Sequence, residues 1–164
     1  MKKILIPLMI ISSILSLGGC KKTATDNDDM LEIAREEIPI ASADTIDIQI
    51  IGSIDKDESR LVCFMTGNEY QGHSYFPIEF KITRRKKYEF FKVYKMGDRG
   101  MDIYVELWKD GYVFIVNNEA CKNIQLTLTN GDKQLVEVDE YPFLLYLDEI
   151  PSEYNFLDID GNEI

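Results

Sequence analysis

The only histidine in the chain is His73, so any site that uses histidine as a general base depends on it. Ser74 follows directly, but neighbouring side chains of an extended chain point to opposite faces. Cys63 could approach His73 across a hairpin and form a nucleophile with its base. No activating motif surrounds either residue, so an enzyme that uses Cys63 or His73 is the least favoured function. One histidine and no paired cysteine motif also argue against zinc.

Two groups of oxygen-bearing side chains could bind Ca²⁺. The first is Asp158, Asp160 and Asn162 with Glu163 near the C-terminus, and the second is Asp55, Asp57 and Glu58. The calcium-binding loop of an EF-hand requires a glycine at its sixth position and a bidentate acid at its twelfth, whereas Gly161 is the fourth residue counted from Asp158. We therefore expect these side chains to lie in turns, and they remain weak candidates for Ca²⁺. No metal or cofactor is assigned.

Tyr104 and Trp108 share the more polar face of a predicted strand, and Tyr70, His73 and Tyr75 crowd a nearby loop. Exposed aromatic rings can stack on sugar rings. The pattern predicts, as an alternative function, a carbohydrate-binding module of the cell envelope. The same rings would instead fill the core if a bulge changed the alternation of the strand.

A cationic block interrupts the acidic sequence. The chain has a net charge of −11, yet residues 81–99 contain eight basic and two acidic side chains. The densest part is Arg84, Arg85, Lys86 and Lys87, which lies between two predicted strands and should crowd at a hairpin tip. Such a patch could bind an anionic partner such as lipid head groups, a cell-wall polymer or the acidic face of another protein. Its alternative role is to protect edge strands from aggregation.

Cys63 and Cys121 could form a disulfide in an oxidising compartment. Their Cα atoms would then have to lie within about 7 Å of each other. Cys63 also lies in an apolar run, residues 61–65, in which cysteine often serves as a small buried hydrophobe. The sequence leaves both alternatives open.

A period of two in apolar residues predicts a mainly β domain over residues 45–164. Asp110-Gly111 and Asn130-Gly131 accept positive φ at both centres of a two-residue turn, so residues 101–117 and 123–138 are predicted hairpins. Half-buried antiparallel strands favour an antiparallel β-sandwich, with a small β-barrel as the alternative. The predicted strands are 46–51, 60–66, 75–83, 88–96, 101–108, 112–117, 123–129, 133–138, 143–147 and 154–157.

The residues before this domain lack the period of two in apolar residues. Met30, Leu31, Ala34 and Ile38 share one helical face and Pro39 follows, which predicts a short helix over residues 30–38 and a connector to 44. Residues 20–29 are polar and without periodicity, which predicts a flexible tether.

The N-terminus combines two lysines, an apolar run over residues 4–17 and the tetrapeptide Leu17-Gly18-Gly19-Cys20. The run is shorter than the ~20 residues of a transmembrane helix, which favours a cleaved signal. The tetrapeptide closely resembles the lipobox of bacterial lipoproteins. The resemblance implies that residues 1–19 are removed, that Cys20 carries a lipid, and that the protein is anchored to a bacterial membrane outside the cytoplasm.

The last residues, 154–164, resemble the closing strand and D-x-D-G-N turn of immunoglobulin-like bacterial surface domains, which implies an immunoglobulin-like sandwich.

Without residues 1–19 the chain has 16 basic and 29 acidic side chains, a balance of −13. This charge argues against a nucleic-acid binder, which needs cations to replace counterions. We therefore predict a non-enzymatic binding or interaction module, held at the membrane through Cys20, whose partner is an envelope protein or an anionic polymer.

Overall fold

The computed structural model describes residues 21–40, 45–68, 71–98 and 100–164. The predicted signal over 1–19, the lipidation residue Cys20, Tyr70 and Arg99 lie outside these residues. The described residues form one helix and eleven strands, and these include all ten predicted strands. In chain order they are β1 (Thr23–Ala24), α1 (Asn27–Glu37), β2 (Ile48–Lys56), β3 (Ser59–Asn68), β4 (Gln71–Ile82), β5 (Tyr88–Val93), β6 (Ile103–Trp108), β7 (Gly111–Val116), β8 (Asn123–Thr127), β9 (Lys133–Glu137), β10 (Phe143–Leu147) and β11 (Glu153–Leu157).

The strands form three sheets. Sheet A has the order β1-β5-β4-β3-β2, sheet B has the order β10-β7-β6, and sheet C has the order β11-β8-β9. Each pair of neighbouring strands is antiparallel. The mainly β, antiparallel class is therefore confirmed.

Three apolar clusters join the layers. The α1 core lies between α1 and sheet A, the A–B core lies between sheets A and B, and the B–C core lies between sheets B and C. Strand β3 is buried on both faces because Val62 and Phe64 enter the α1 core while Leu61 and Cys63 enter the A–B core. A strand covered on both faces reads as a continuous apolar run, as residues 61–65 do.

Sheet B is the middle sheet. On β7, Val113 and Ile115 enter the A–B core, whereas Phe114 and Val116 enter the B–C core, and all four are fully buried. Successive side chains of a strand point to opposite faces, so both faces of this sheet are covered by protein. The prediction of half-buried strands is therefore wrong for β7.

The first predicted hairpin is present, but its turn lies one residue earlier than predicted. Trp108 pairs with Gly111, so Lys109 and Asp110 form the turn, and Lys109 has a φ of 52°. Gly111 is required for a different reason. A Cβ atom at this position would lie 2.1 Å from the carbonyl oxygen of Leu147 on β10.

The second predicted hairpin connects β8 and β9 through a longer loop than the predicted two residues. Thr127 pairs with Lys133, and the N–H of Leu128 donates to the carbonyl of Asp132 at 2.8 Å. Gly131 has a φ of 88°, a region that glycine adopts at little cost.

The segment predicted as a flexible tether, residues 20–29, contains β1 from Thr23 and the start of α1 at Asn27, so the prediction is wrong for these residues. Ala24 is fully buried and pairs with Tyr88 of β5. Helix α1 starts three residues before the predicted residue 30 because Asp26 caps it, accepting the N–H of Asp29 at 3.0 Å. The helix ends at Glu37, before Pro39, as predicted.

Candidate functional site

The cationic residues form the turn between β4 and β5. The N–H of Thr83 donates to the carbonyl of Lys87 at 2.8 Å, and the N–H of Lys86 donates to the carbonyl of Thr83 at 2.9 Å. Lys86 has a φ of 56°. We call Arg84, Arg85, Lys86 and Lys87 the basic tip. The prediction that these residues lie at a hairpin tip is confirmed, because the turn is closed by its own hydrogen bonds.

The charges of the basic tip are exposed and lack ion pairs. All four residues are exposed, and among the described residues none of the four lies within ion-pair distance of a carboxylate. Other basic side chains are paired, such as Arg60 with Asp55 and Lys22 with Glu36. The charges of the basic tip are therefore not engaged in direct ion pairs with the described residues.

Helix α1 begins close to the basic tip. The pKa of Asp29 is lowered from its ordinary value, mainly because the Thr25 side chain and backbone donate to its carboxylate, and the charge of Lys87 adds to the effect. The Thr25 hydroxyl donates to Asp29 at 2.6 Å. The first residues of the described chain and the basic tip therefore share one corner of sheet A.

A β-bulge lies a few residues beyond the basic tip. The register of β4 with β5 shifts between Glu79 and Phe80, so Phe91 is the extra residue of β5. Its side chain is 49% exposed, and the Lys81 ammonium lies 4.1 Å from the centre of its ring. A bulge can turn a side chain away from the regular alternation, and here it leaves an aromatic ring in solvent beside a cation.

A cleft of about 440 Å³ opens beside this bulge, and its lining includes Phe91, Ser59, Glu79 and Lys109. Glu79 is buried, and its Oε2 accepts the Tyr94 hydroxyl at 2.7 Å. The Lys109 ammonium donates to Ser59 Oγ at 3.2 Å. The cleft therefore holds one buried carboxylate that already has protein donors.

The pKa of Glu79 is lowered overall. Burial by itself raises the pKa, but the donors Tyr94, Ser59 and Trp108 and the charge of Lys109 outweigh it. The Trp108 indole N–H faces Glu79 without reaching hydrogen-bond geometry. This buried carboxylate is kept charged by its donors and by Lys109, so it has none of the raised pKa that a general acid requires.

The two cysteines are free, so the open question of a Cys63–Cys121 disulfide is answered against the bridge. Cys63 belongs to the A–B core and Cys121 to the B–C core, on opposite sides of sheet B. Burial raises the pKa of the Cys63 thiol to about 12 and also raises the pKa of Cys121. Neither thiol is therefore poised as a nucleophile.

His73 does not approach Cys63. Cys63 pairs with Pro77, four residues along β4 from His73, which is a separation of about 13 Å. His73 Nδ1 lies 3.2 Å from the carbonyl oxygen of Thr66, to which the ring nitrogen donates. The geometry thus does not bring Cys63 and His73 together as a nucleophile and its base.

The aromatic residues predicted to stack on sugars are buried. Tyr104 is 5% exposed, and Trp108 and Tyr75 are fully buried, all three in the A–B core. The Tyr104 hydroxyl donates to the carbonyl of Lys95 at 2.5 Å. The predicted sugar-stacking role of Tyr104 and Trp108 is therefore wrong, because sheet A covers the face that was expected to be wet.

The calcium candidates form turns. Asp158 Oδ1 accepts the N–H groups of Asp160 and Asn162 at 2.9 and 2.8 Å, so its carboxylate caps the turn at Gly161. Hydrogen bonds from the Asn162 backbone are the main reason that the pKa of Asp158 is lowered. In the part of the chain that the structure describes, no group of three or more histidine, cysteine, aspartate or glutamate side chains could hold a metal ion.

Asp55, Asp57 and Glu58 are likewise not arranged around a cation. Asp55 forms a bidentate ion pair with Arg60, with both nitrogen–oxygen distances 2.6 Å. Asp57 lies 3.5 Å from the Lys109 ammonium. The carboxylates of Asp55 and Asp57 are therefore paired with protein cations.

Sequence reasoning missed three features near the basic tip: strand β1, the bulge at Phe91 and the buried Glu79. The signal for the bulge was the pair Phe90-Phe91, because two adjacent aromatic residues break a period of two. The signal for β1 was weak, since two residues cannot show a period.

No family model, curated protein or solved structure matches this chain. Within the described ranges, no helix has the length and apolar content to cross a membrane.

Proposed function

We propose that this protein is a lipid-anchored, non-enzymatic interaction module of the bacterial cell envelope that binds an anionic partner through its basic tip. The observation that carries this proposal is the set of four exposed cations, Arg84, Arg85, Lys86 and Lys87, on a turn fixed by its own hydrogen bonds. Because the turn is ordered before binding, little conformational entropy is lost when a partner is bound.

The alternative role, protection of an edge strand, fits the position of the basic tip less well. Lysines that protect an edge must lie on the edge strand itself. The four residues lie in the turn, and β4 is an interior strand between β3 and β5. Lys92 is exposed on β5 beyond Tyr88 and Glu89, the residues that pair with the two-residue strand β1, so it is better placed for protection. A cluster that projects beyond the sheet favours contact with a partner.

The anchor in this proposal is the lipid on Cys20, inferred from the resemblance of Leu17-Gly18-Gly19-Cys20 to a lipobox. We place the protein outside the cytoplasm on a bacterial membrane for the same reason. Several acyl chains on one cysteine would make release slow, since each buried methylene contributes about 0.8 kcal/mol.

For the architecture we infer a sandwich rather than a barrel, because sheets A and B supply the two sides of one core. A third sheet behind sheet B extends the two-layer immunoglobulin-like plan that the C-terminal residues resemble.

The test replaces Arg84, Arg85, Lys86 and Lys87 together by Gln in the full acylated chain. The matched control is Arg84→Lys with Arg85→Lys, which keeps the charge and alters only the side-chain shape. Partners are captured by chemical crosslinking in intact envelopes at low and high salt. We expect the Gln variant and high salt each to remove most of the crosslinked partner, whereas the control keeps it, because exposed charges are screened over about 8 Å.

Crosslinks that are insensitive both to these substitutions and to salt would refute the role of the basic tip. Melting temperatures of all three proteins should agree within a few degrees, since exposed charges contribute little to stability. This comparison separates lost binding from lost folding.

A further inference from the structure

We propose that the anionic partner is the phospholipid surface itself, and that the β5 edge of sheet A lies against it with the Phe91 ring among the head groups. This inference rests on the proposed function, since it requires the anchor at Cys20. We call Lys21, Lys81, Phe91 and Lys92 the edge surface. Along the chain, Tyr88 and Glu89 of β5 connect the basic tip to Phe91 and Lys92.

The fold begins immediately after the anchoring residue. The carbonyl of Lys22 accepts the N–H of Phe90 at 2.9 Å, and the Lys22 ammonium lies 2.7 Å from Glu36 and 2.5 Å from Glu37. Lys21 forms an ion pair of 2.7 Å with Glu89 of β5. A single residue therefore separates Cys20 from backbone that is hydrogen-bonded to sheet A, so Cys20 lies within about 7 Å of Lys22 along the chain. A lipid on Cys20 would hold this edge at the head groups.

The basic tip lies at the end of this edge, in the turn that precedes β5. Lys22 stands opposite Phe90, and Lys87 precedes Phe90 by three residues along the chain. At about 3.3 Å per residue, the tip begins roughly 10 Å from the first fixed residue. A surface that contacts Lys21 is thus within reach of the basic tip.

The charge of this region matches an anionic surface. The edge surface and the basic tip together carry seven cations. Glu89, which lies between them, is bound to Lys21, and the acids nearest to Lys81 and Phe91 line the cleft beside them: Asp57, Glu58 and Glu79. Helix α1 packs on the other face of sheet A, and of its acids Asp29, in the first turn, lies close enough to Lys87 for the two charges to interact. Phe80 and Phe90 enter the α1 core, so their neighbours Lys81 and Glu89 project from the opposite face.

Phe91 supplies the apolar part of the contact. It is 49% exposed, it belongs to the bulge and not to any core, and the Lys81 ammonium lies 4.1 Å from its ring centre. Aromatic rings favour the interface between head groups and acyl chains, and lysines beside them can reach the phosphates. A soluble polyanion would be bound by the cations alone and would leave the ring in water.

The experiment uses the full acylated chain reconstituted in vesicles that contain brominated phospholipid, which quenches tryptophan at the membrane interface. Phe91→Trp is compared with Leu135→Trp, a matched control because Leu135 is 59% exposed on β9 of sheet C. Trp108 is fully buried and common to both variants, so its signal is subtracted using the wild type. Vesicles contain phosphatidylglycerol and phosphatidylcholine in equal parts, or phosphatidylcholine alone.

We expect the added tryptophan at position 91 to be quenched several-fold more than that at position 135 in phosphatidylglycerol vesicles. The difference should shrink in phosphatidylcholine vesicles and when the basic tip is changed to Gln. Each cation near an anionic surface contributes about fivefold to partitioning, so the four changes together weaken the contact by roughly several-hundred-fold.

Equal quenching at positions 91 and 135 in acylated protein would overturn this inference. The proposed function would survive that result if the basic tip still captured a soluble polyanion in the crosslinking experiment. Mass spectrometry of the N-terminal peptide distinguishes the remaining case, because a Cys20 without acyl groups refutes the anchor and this inference together. If Phe91→Trp fails to fold, Lys92→Cys carrying a polarity-sensitive dye reports the same edge, and an unshifted emission maximum overturns the inference.

Discussion

Replacing a buried and an exposed phenylalanine by alanine should lower the free energy of unfolding by very different amounts. Phe114 is fully buried in the B–C core, where its ring centre lies 5.3 Å from that of Tyr154 and 6.3 Å from that of Phe156. Phe91 is 49% exposed on the edge surface. The two substitutions remove the same atoms, so any difference in the free energy of unfolding reports the environment and not the chemistry.

The magnitude follows from the burial. Removing a fully buried phenylalanine ring costs about 3–5 kcal/mol, because the transfer energy of the ring and the energy of the cavity add. Phe91→Ala should cost about 1 kcal/mol or less, since roughly half of the ring is already in water. At about 2–4 °C per kcal/mol, Phe114→Ala should lower the melting temperature by roughly 6–20 °C, against at most a few degrees for Phe91→Ala.

Urea unfolding followed by two signals is the assay. Trp108 fluorescence reports the A–B core, in which that side chain is buried, while near-ultraviolet circular dichroism also reports the tyrosines around Phe114. Both signals should shift together in Phe114→Ala because sheet B belongs to both cores. Equal costs for the two variants, or a Trp108 transition unmoved while the dichroism shifts, would refute the packing described here.

Two further predictions concern single groups. Gly111→Ala should destabilise the protein by about 1–3 kcal/mol in thermal unfolding, because its Cβ would lie 2.1 Å from the Leu147 carbonyl oxygen; an unchanged melting temperature would contradict this contact. Tyr94→Phe should remove about 1.5–3 kcal/mol of stability at neutral pH, because it removes a donor to the charged Glu79. The folded-state pKa of Glu79 is lowered, so this stability is present above the ordinary carboxyl pKa and is lost as the pH falls through the folded value. The gap between wild type and Tyr94→Phe, measured by urea unfolding, should therefore narrow in acid, and a gap that is constant with pH would contradict the role of Glu79.

The strands and hairpins were predictable because their signals are local. Alternation over residues 123–129 and the dipeptide Asn130-Gly131 lie within one short stretch, and the structure has a hairpin there. The dipeptide Asp110-Gly111 also predicted a hairpin correctly, but the turn does not explain the glycine. Position 111 needs glycine because the carbonyl oxygen of Leu147, 36 residues later, leaves no room for a Cβ atom. A contact between distant parts of the chain has no local signature.

The candidate site was predictable only in part. The basic tip was found because four consecutive cations between two strands need no tertiary information. Tyr104 and Trp108 were assigned to an exposed face because alternation shows that a strand has two faces, but not that a second layer covers the other one. The free state of Cys63 and Cys121 likewise depends on the position of sheet B between them.

The position of sheet B also determines how the molecule should exchange its amide hydrogens. The backbone of β7 pairs with strands on both sides, and its side chains are packed on both faces. Its amides can therefore reach water only if the A–B core and the B–C core both come apart. Strand β9, by contrast, is an edge strand with mostly exposed side chains, and it can fray alone. Exchange at β7 should then proceed only through global unfolding, so the slowest amides measure the stability of the whole protein while those of β9 measure a local equilibrium.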